Sequence, residues 1–103
     1  MKIVRVIYTT TAEFAPVNQQ NINGIVSELK ELNHPGIKYS CYVQADGKTF
    51  MHLDHLENEE AHLALQELAS FKKFAAELWA SGLEVEPKLE ILSAVASTED
   101  LFE

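Results

Sequence analysis

The chemistry available to this 103-residue chain sits in a few polar side chains set among β-branched and aromatic ones. His52 stands first. In the run Thr49-Phe50-Met51-His52-Leu53-Asp54-His55-Leu56 it is a proton acceptor that titrates near neutrality, and Asp54 follows at the spacing that puts both on one face of a strand. A histidine beside a hydroxyl and a carboxylate can act as a general base. Arg5 and Tyr42, in other strand-like runs, can orient or stabilise an enolate or phenolate. His52, Tyr42, Arg5 and Asp54 are therefore the catalytic candidates, with His62, Phe50 and Ser40 as candidate ligand contacts. Each also has a plain structural role. His52 can be an interface histidine satisfied by Ser40 or a partner chain, Tyr42 and Arg5 can pack an interface, and Asp54 with Lys38 can be a cross-strand ion pair.

Metal ligation is not expected. His52 and His55 point to opposite faces of one strand, and no compact carboxylate cluster joins them to His62. Cys41 is the only cysteine, which excludes an internal disulfide or a cysteine zinc cluster and reads as a buried thiol. No cofactor is called for.

The elements that must position these residues follow from periodicity. Residues 2 to 10 are dense in β-branched and aromatic side chains and read as a strand. From Pro16 to Leu32, Ile22, Ile25, Val26, Leu29 and Leu32 recur at helical spacing, with Asn21, Asn23, Glu28, Lys30 and Glu31 left for water, and Asn33-His34-Pro35-Gly36 ends the helix. IKYSCYVQ and TFMHLDHLE are two strands joined by Ala45-Asp46-Gly47-Lys48, a hairpin signal. Asn58 caps a second helix, with Glu59 and Glu60 in its first turn; Ala61, Leu65, Leu68, Phe71, Ala75 and Leu78 carry it to Gly82, a run of about 22 residues. Residues 83 to 96 form a last strand, interrupted at an edge by Pro87. The order strand, helix, strand, strand, helix, strand is that of the ferredoxin-like α+β fold, a four-stranded antiparallel sheet with two helices on one face. A single domain over residues 1–97 and an acidic tail at 98–103 are expected.

The hairpin register decides which face carries the polar groups. A two-residue Asp46-Gly47 turn pairs Cys41 with His52 and Tyr39 with Asp54, mixing apolar and polar groups. A type I turn closed by a left-handed Gly47 bulge shifts the pairing by one, setting Lys38 opposite Asp54, Ser40 opposite His52 and Tyr42 opposite Phe50. The bulged form separates apolar from polar, so it is the expected one. Arg5, Ser40, Tyr42, Phe50, His52 and Asp54 then share the face away from the helices, opposite Cys41 and Leu53.

The charge of −8, with its few cations scattered, argues against nucleic acid. RNA-binding ferredoxin-like sheets place aromatics in basic surroundings, and Gly47-Lys48-Thr49-Phe50 matches that signature poorly. No apolar run reaches the roughly 18 residues of a membrane span, and the start lacks a signal peptide's apolar block, so neither a membrane nor export is expected, and the location is read as cytoplasmic.

One resemblance adds to this. FMHLDHLENEE followed by AHLALQELASFKKFAAEL resembles the antibiotic biosynthesis monooxygenase group of dimeric α+β barrel proteins, through an acidic turn after a strand, Ala61-His62 near the helix start, and Ser70, Phe71 and Phe74 further on. The resemblance implies two ferredoxin-like subunits closing a barrel whose interior, away from the helices, holds a small molecule. Haem-degrading members have a Trp and, ten residues on, an iron-binding His; Leu65 and Ala75 fall at those places here, so haem breakdown is not expected. Two functional readings stay open: a homodimer that converts a small organic molecule in a cofactor-independent monooxygenase-like or isomerase-like reaction, and a non-catalytic homodimeric ligand-binding or assembly domain.

Overall fold

A computed structural model describes residues 1–102. The chain runs β1 (Lys2–Thr9), α1 (Ala15–Leu32), β2 (Ile37–Val43), β3 (Thr49–Leu56), α2 (Glu59–Glu67), α3 (Ala69–Ala80) and β4 (Val85–Leu92). The strands form one antiparallel sheet in the order β2-β3-β1-β4. This is the ferredoxin-like arrangement, with all the helices on one face. Pro16 stands in the first turn of α1, where its missing N–H costs nothing, and Asn33 ends the helix in a left-handed conformation with its N–H donated to the Leu29 carbonyl. The core joins Val4, Tyr8 and Phe50 of the sheet to Ile22, Ile25, Leu65, Phe74 and Leu78 of the helices.

Three expectations need correction. The run after Asn58 is two helices, broken at Leu68, whose backbone is extended (φ −61°, ψ 134°). The break frees the Ser70 N–H, and the Glu28 carboxylate of α1 accepts both it and the Ser70 hydroxyl, at 3.0 and 2.6 Å. A cap from a distant helix thus replaces the glycine or proline that normally marks such a break. Asn58 caps α2 as expected, accepting from the Ala61 N–H. Asn21 does not face water: it is buried, and its amide donates to Glu77 of α3.

The third correction is the register. Cys41 pairs with His52, Tyr39 with Asp54 and Val43 with Phe50, so the expected bulged pairing is wrong by one residue. Gly47 does take positive φ (+76°), but inside a longer loop, residues 45–48, beyond the Gln44 N–H to Thr49 carbonyl bond. The Asp46 carboxylate ties that loop by accepting from the Lys48 and Thr49 N–H groups and from the Thr49 hydroxyl. Consequently Phe50, His52 and Asp54 turn toward the helices beside Tyr39 and Cys41, while Met51, Leu53 and His55 turn away.

On the face away from the helices, Leu92, Ile3, His55 and Lys38 form one row across all four strands. The segment after β4 crosses this row to the β2 edge, where the Lys38 ammonium donates to the Asp100 carbonyl and lies over the Phe102 ring. Ile3 is only 6% exposed in consequence. Among the described residues no helix is long and apolar enough to cross a membrane.

Candidate functional site

The register splits the residues singled out from the sequence into two groups. Arg5, Ser40 and Tyr42 lie on the face away from the helices, where Arg5 pairs with Glu90 and its Nε–H points to the Met51 sulfur. His52, Asp54 and Phe50 lie on the helix side, and His62 on α2 joins them. Phe50 is core, stacked on Tyr8 with centroids 5.8 Å apart. The expected pocket on the outer face therefore does not assemble. A cavity of about 250 Å³ lies instead between the sheet and the α2–α3 pair, and His52, Asp54 and His62 all line it.

Its walls are apolar: Val4, Val6, Leu65, Phe71, Phe74 and Leu78, with Trp79, Pro87 and Leu89 toward solvent. Its floor is a hydrogen-bonded chain. The Asn18 amide of α1 donates to the Tyr8 hydroxyl at 2.8 Å. The Tyr8 hydroxyl lies 2.7 Å from His52 Nε2, and His52 Nδ1 lies 2.7 Å from the Tyr39 hydroxyl. With the Asn18 amide donating to the Tyr8 oxygen, the tautomer that gives the Tyr8 proton an acceptor is the one protonated on Nδ1, and in that tautomer Tyr39 keeps a proton that no group of the floor accepts. The His52 ring packs against Tyr8 and Phe74, with centroids 5.4 and 5.1 Å away.

Burial sets the protonation states. Desolvation lowers the His52 pKa to about 4, so the ring is neutral at pH 7, and both its nitrogens are already engaged. Desolvation likewise raises Asp54 to about 7, and no hydrogen bond satisfies its hidden Oδ1. The Tyr8 and Tyr39 phenols are pushed far above their ordinary range, chiefly by burial, and the Cys41 thiol is raised to about 12 by the same cause. At the rim His62 Nδ1 accepts from the Lys2 ammonium at 3.2 Å, beside the Glu59 carboxylate. Among the described residues no three His, Cys, Asp or Glu side chains converge to hold a metal ion.

Asn18, Tyr8 and Tyr39 were not read as site residues. For Asn18 a signal existed: it falls on the inner stripe of α1 with Ile22, Ile25 and Leu29, where an uncharged polar side chain needs a buried partner. For the tyrosines the strand pattern said only that they face the helices.

No family model and no curated protein matches the chain in sequence. In structure it is similar to Rv0793 from Mycobacterium tuberculosis, with a TM-score of 0.77, 11% identity, and 95% of this chain and 98% of that chain covered. A candidate antibiotic biosynthesis monooxygenase from Deinococcus radiodurans superposes with a TM-score of 0.74 at 17% identity, covering 97% and 98%. SnoaB from Streptomyces nogalater, a cofactor-independent oxygenase, gives 0.67 at 11% identity, covering 96% of each chain. The fold is that of the antibiotic biosynthesis monooxygenase-like proteins, as the sequence resemblance implied.

Proposed function

We propose that the helix-side cavity binds a small aromatic molecule bearing a hydroxyl group, and that Asp54 takes up the hydroxyl proton. Two free valences at the polar end of the cavity carry this reading: the unpartnered Asp54 oxygen, and the Tyr39 proton left over once His52 donates to that hydroxyl. Tyr39 and Asp54 stand opposite each other in the β2–β3 ladder. A ligand hydroxyl between them donates to one and accepts from the other, so a single group meets both needs.

The roles differ from those the sequence suggests. His52 is a positioning residue, neutral and fully engaged, that holds Tyr39; Asp54, with a pKa of about 7, is suited to act as the base at neutral pH. An aromatic oxyanion formed there is stabilised by the Tyr39 hydroxyl; its ring gives two electrons to molecular oxygen, a ring carbon bonds to one oxygen atom, and the other takes the proton held by Asp54, which leaves a dienone hydroperoxide. The fold shared with a protein described as a cofactor-independent oxygenase supports oxygenation as the reaction to measure.

A second copy of the chain is proposed to cover the outer sheet face, where Ile7, Met51 and Leu53 are half-buried and Tyr42 is exposed. A solution mass near twice 11.6 kDa supports it, and a monomer at micromolar concentration refutes it.

Trp79 is the only tryptophan and lines the cavity, so its fluorescence reports occupancy. Titration with 4-methylphenol is expected to give a saturable change, at least about tenfold weaker in Asp54→Asn, with any oxygen uptake rising through pH 7. Absence of saturable binding up to millimolar phenol overturns the proposal; binding without oxygen uptake at any pH assigns the cavity to the non-catalytic class.

A further inference from the structure

On β4 the residues Pro87, Leu89 and Ile91 alternate with Glu86, Lys88 and Glu90. Leu89 pairs with Val6 and Ile91 with Val4, so the apolar row is on the helix side of the sheet. A strand that separates apolar from charged residues so cleanly is built to have its apolar side covered. Yet among the described residues no helix packs closely on β4, and Leu89 and Ile91 remain 61% and 58% exposed. Trp79, on the facing side of α3, is 62% exposed. These residues border a groove between α3 and the β4 edge.

The groove continues the cavity. Trp79, Pro87 and Leu89 line the cavity, Trp79 and Leu89 also stand in solvent, and Val4 and Val6, the partners of Ile91 and Leu89, are cavity walls. A volume of about 250 Å³ falls below the usual 300–1,000 Å³ of small-molecule sites, so a ligand larger than one ring has to leave by this mouth. Its outgoing part then lies on Leu89 and Ile91. No Lys or Arg lines the cavity, the Lys2 ammonium at its rim is engaged by His62, and the chain's net charge of −8 disfavours an anionic group along this path.

We infer that the ligand is an elongated amphiphile: a hydroxylated ring in the cavity, carrying an uncharged apolar chain that leaves past Trp79 and Leu89 and lies along β4 as far as Ile91. This rests on the proposed role of the cavity and deepens it. The polar end fixes the ring, and the uncovered strand sets the length of chain the site accepts.

The test is a series of 4-alkylphenols, from methyl to octyl, titrated against the full-length protein by Trp79 fluorescence. Each added methylene is expected to tighten binding about two- to fourfold until the chain passes Ile91, as its apolar surface leaves water. Ile91→Asp, with Ile91→Ser as a milder variant should the first fold poorly, is expected to abolish most of that gain for the longer chains while leaving 4-methylphenol affinity within about threefold of wild type. If 4-methylphenol binds but affinity does not grow with chain length, the inference fails and the cavity reading stands. Full chain-length gain in both Ile91 variants overturns the path along β4. A halved solution mass on substituting Ile91 overturns it too, because a second copy is then what covers the strand. If no alkylphenol binds, the cavity reading itself falls.

Discussion

The two faces of the sheet handle polar groups in opposite ways. On the outer face the charged groups find nearby answers in the open: Arg5 pairs with Glu90 and Lys38 reaches the Asp100 carbonyl, while Thr9 bonds Thr49. On the helix side the polar groups are buried among aromatic rings, and their hydrogen bonding is incomplete: Asn18 Oδ1 and Asp54 Oδ1 have no partner, and Tyr39 ends the chain that runs through His52. Natural interiors leave few such groups unsatisfied. Polarity on a surface is ordinary; polarity left open inside an apolar cavity is what the proposed ligand would complete.

The strongest way to break this contrast is to remove its centre. His52→Ala deletes a ring that is 5% exposed and packed against three aromatic side chains, and it strips Tyr39 of its hydrogen bond. A loss of about 3–5 kcal/mol in chemical denaturation is expected. A loss below about 1 kcal/mol would mean that the floor network does not hold the domain together.

Stability against pH sharpens the comparison. His52 has its pKa lowered on folding, so its contribution is lost as pH falls from about 6.5 to about 4. Asp54 has its pKa raised, so its contribution is present at low pH and is lost as pH rises from about 4 to about 7. Between pH 4 and 6.5 the two slopes oppose each other, because the folded chain holds both groups neutral where the unfolded chain holds both charged. Asp54→Asn removes one slope, and its stability is expected to climb over that window by on the order of 3 kcal/mol more than that of wild type. Parallel pH curves for the two proteins would show that these side chains are not buried as described.

The smallest effect belongs to the outer face. Arg5→Ala is expected to cost less than about 1 kcal/mol, since both partners of its ion pair are roughly one-third exposed. A cost approaching that of His52→Ala would erase the distinction between the faces.

Much of the architecture was legible in the chain. The alternation of β1, the stripe and stop of α1, the Asn58 cap and the edge position of the Pro87 strand all follow from local chemistry acting on neighbouring residues. The site was only half legible, for a physical reason. Its candidates were placed by choosing the hairpin register that keeps polar groups away from the core, and His52 and Asp54 are the residues that violate that rule. Gly47 could not arbitrate, since its positive φ suits both the expected bulged turn and the actual loop. The break at Leu68 was hidden as well, because the group that stabilises it, Glu28, lies far away in the sequence. Where buried polar residues defy the pattern, the pattern misplaces them.

The Asp46-tied loop limits how this gene can change length. Side chains alternate strictly along β2, so a one-residue slip of that edge strand against β3 would turn Tyr39 and Cys41 outward and Lys38 and Ser40 inward. A codon gained or lost within residues 45–48 leaves the facing intact only if the Gln44 N–H to Thr49 carbonyl pair closes again without the three Asp46 ties. This hairpin is therefore expected to tolerate changes of length less well than the connection from β1 to α1, which sets no cross-strand pairing of its own.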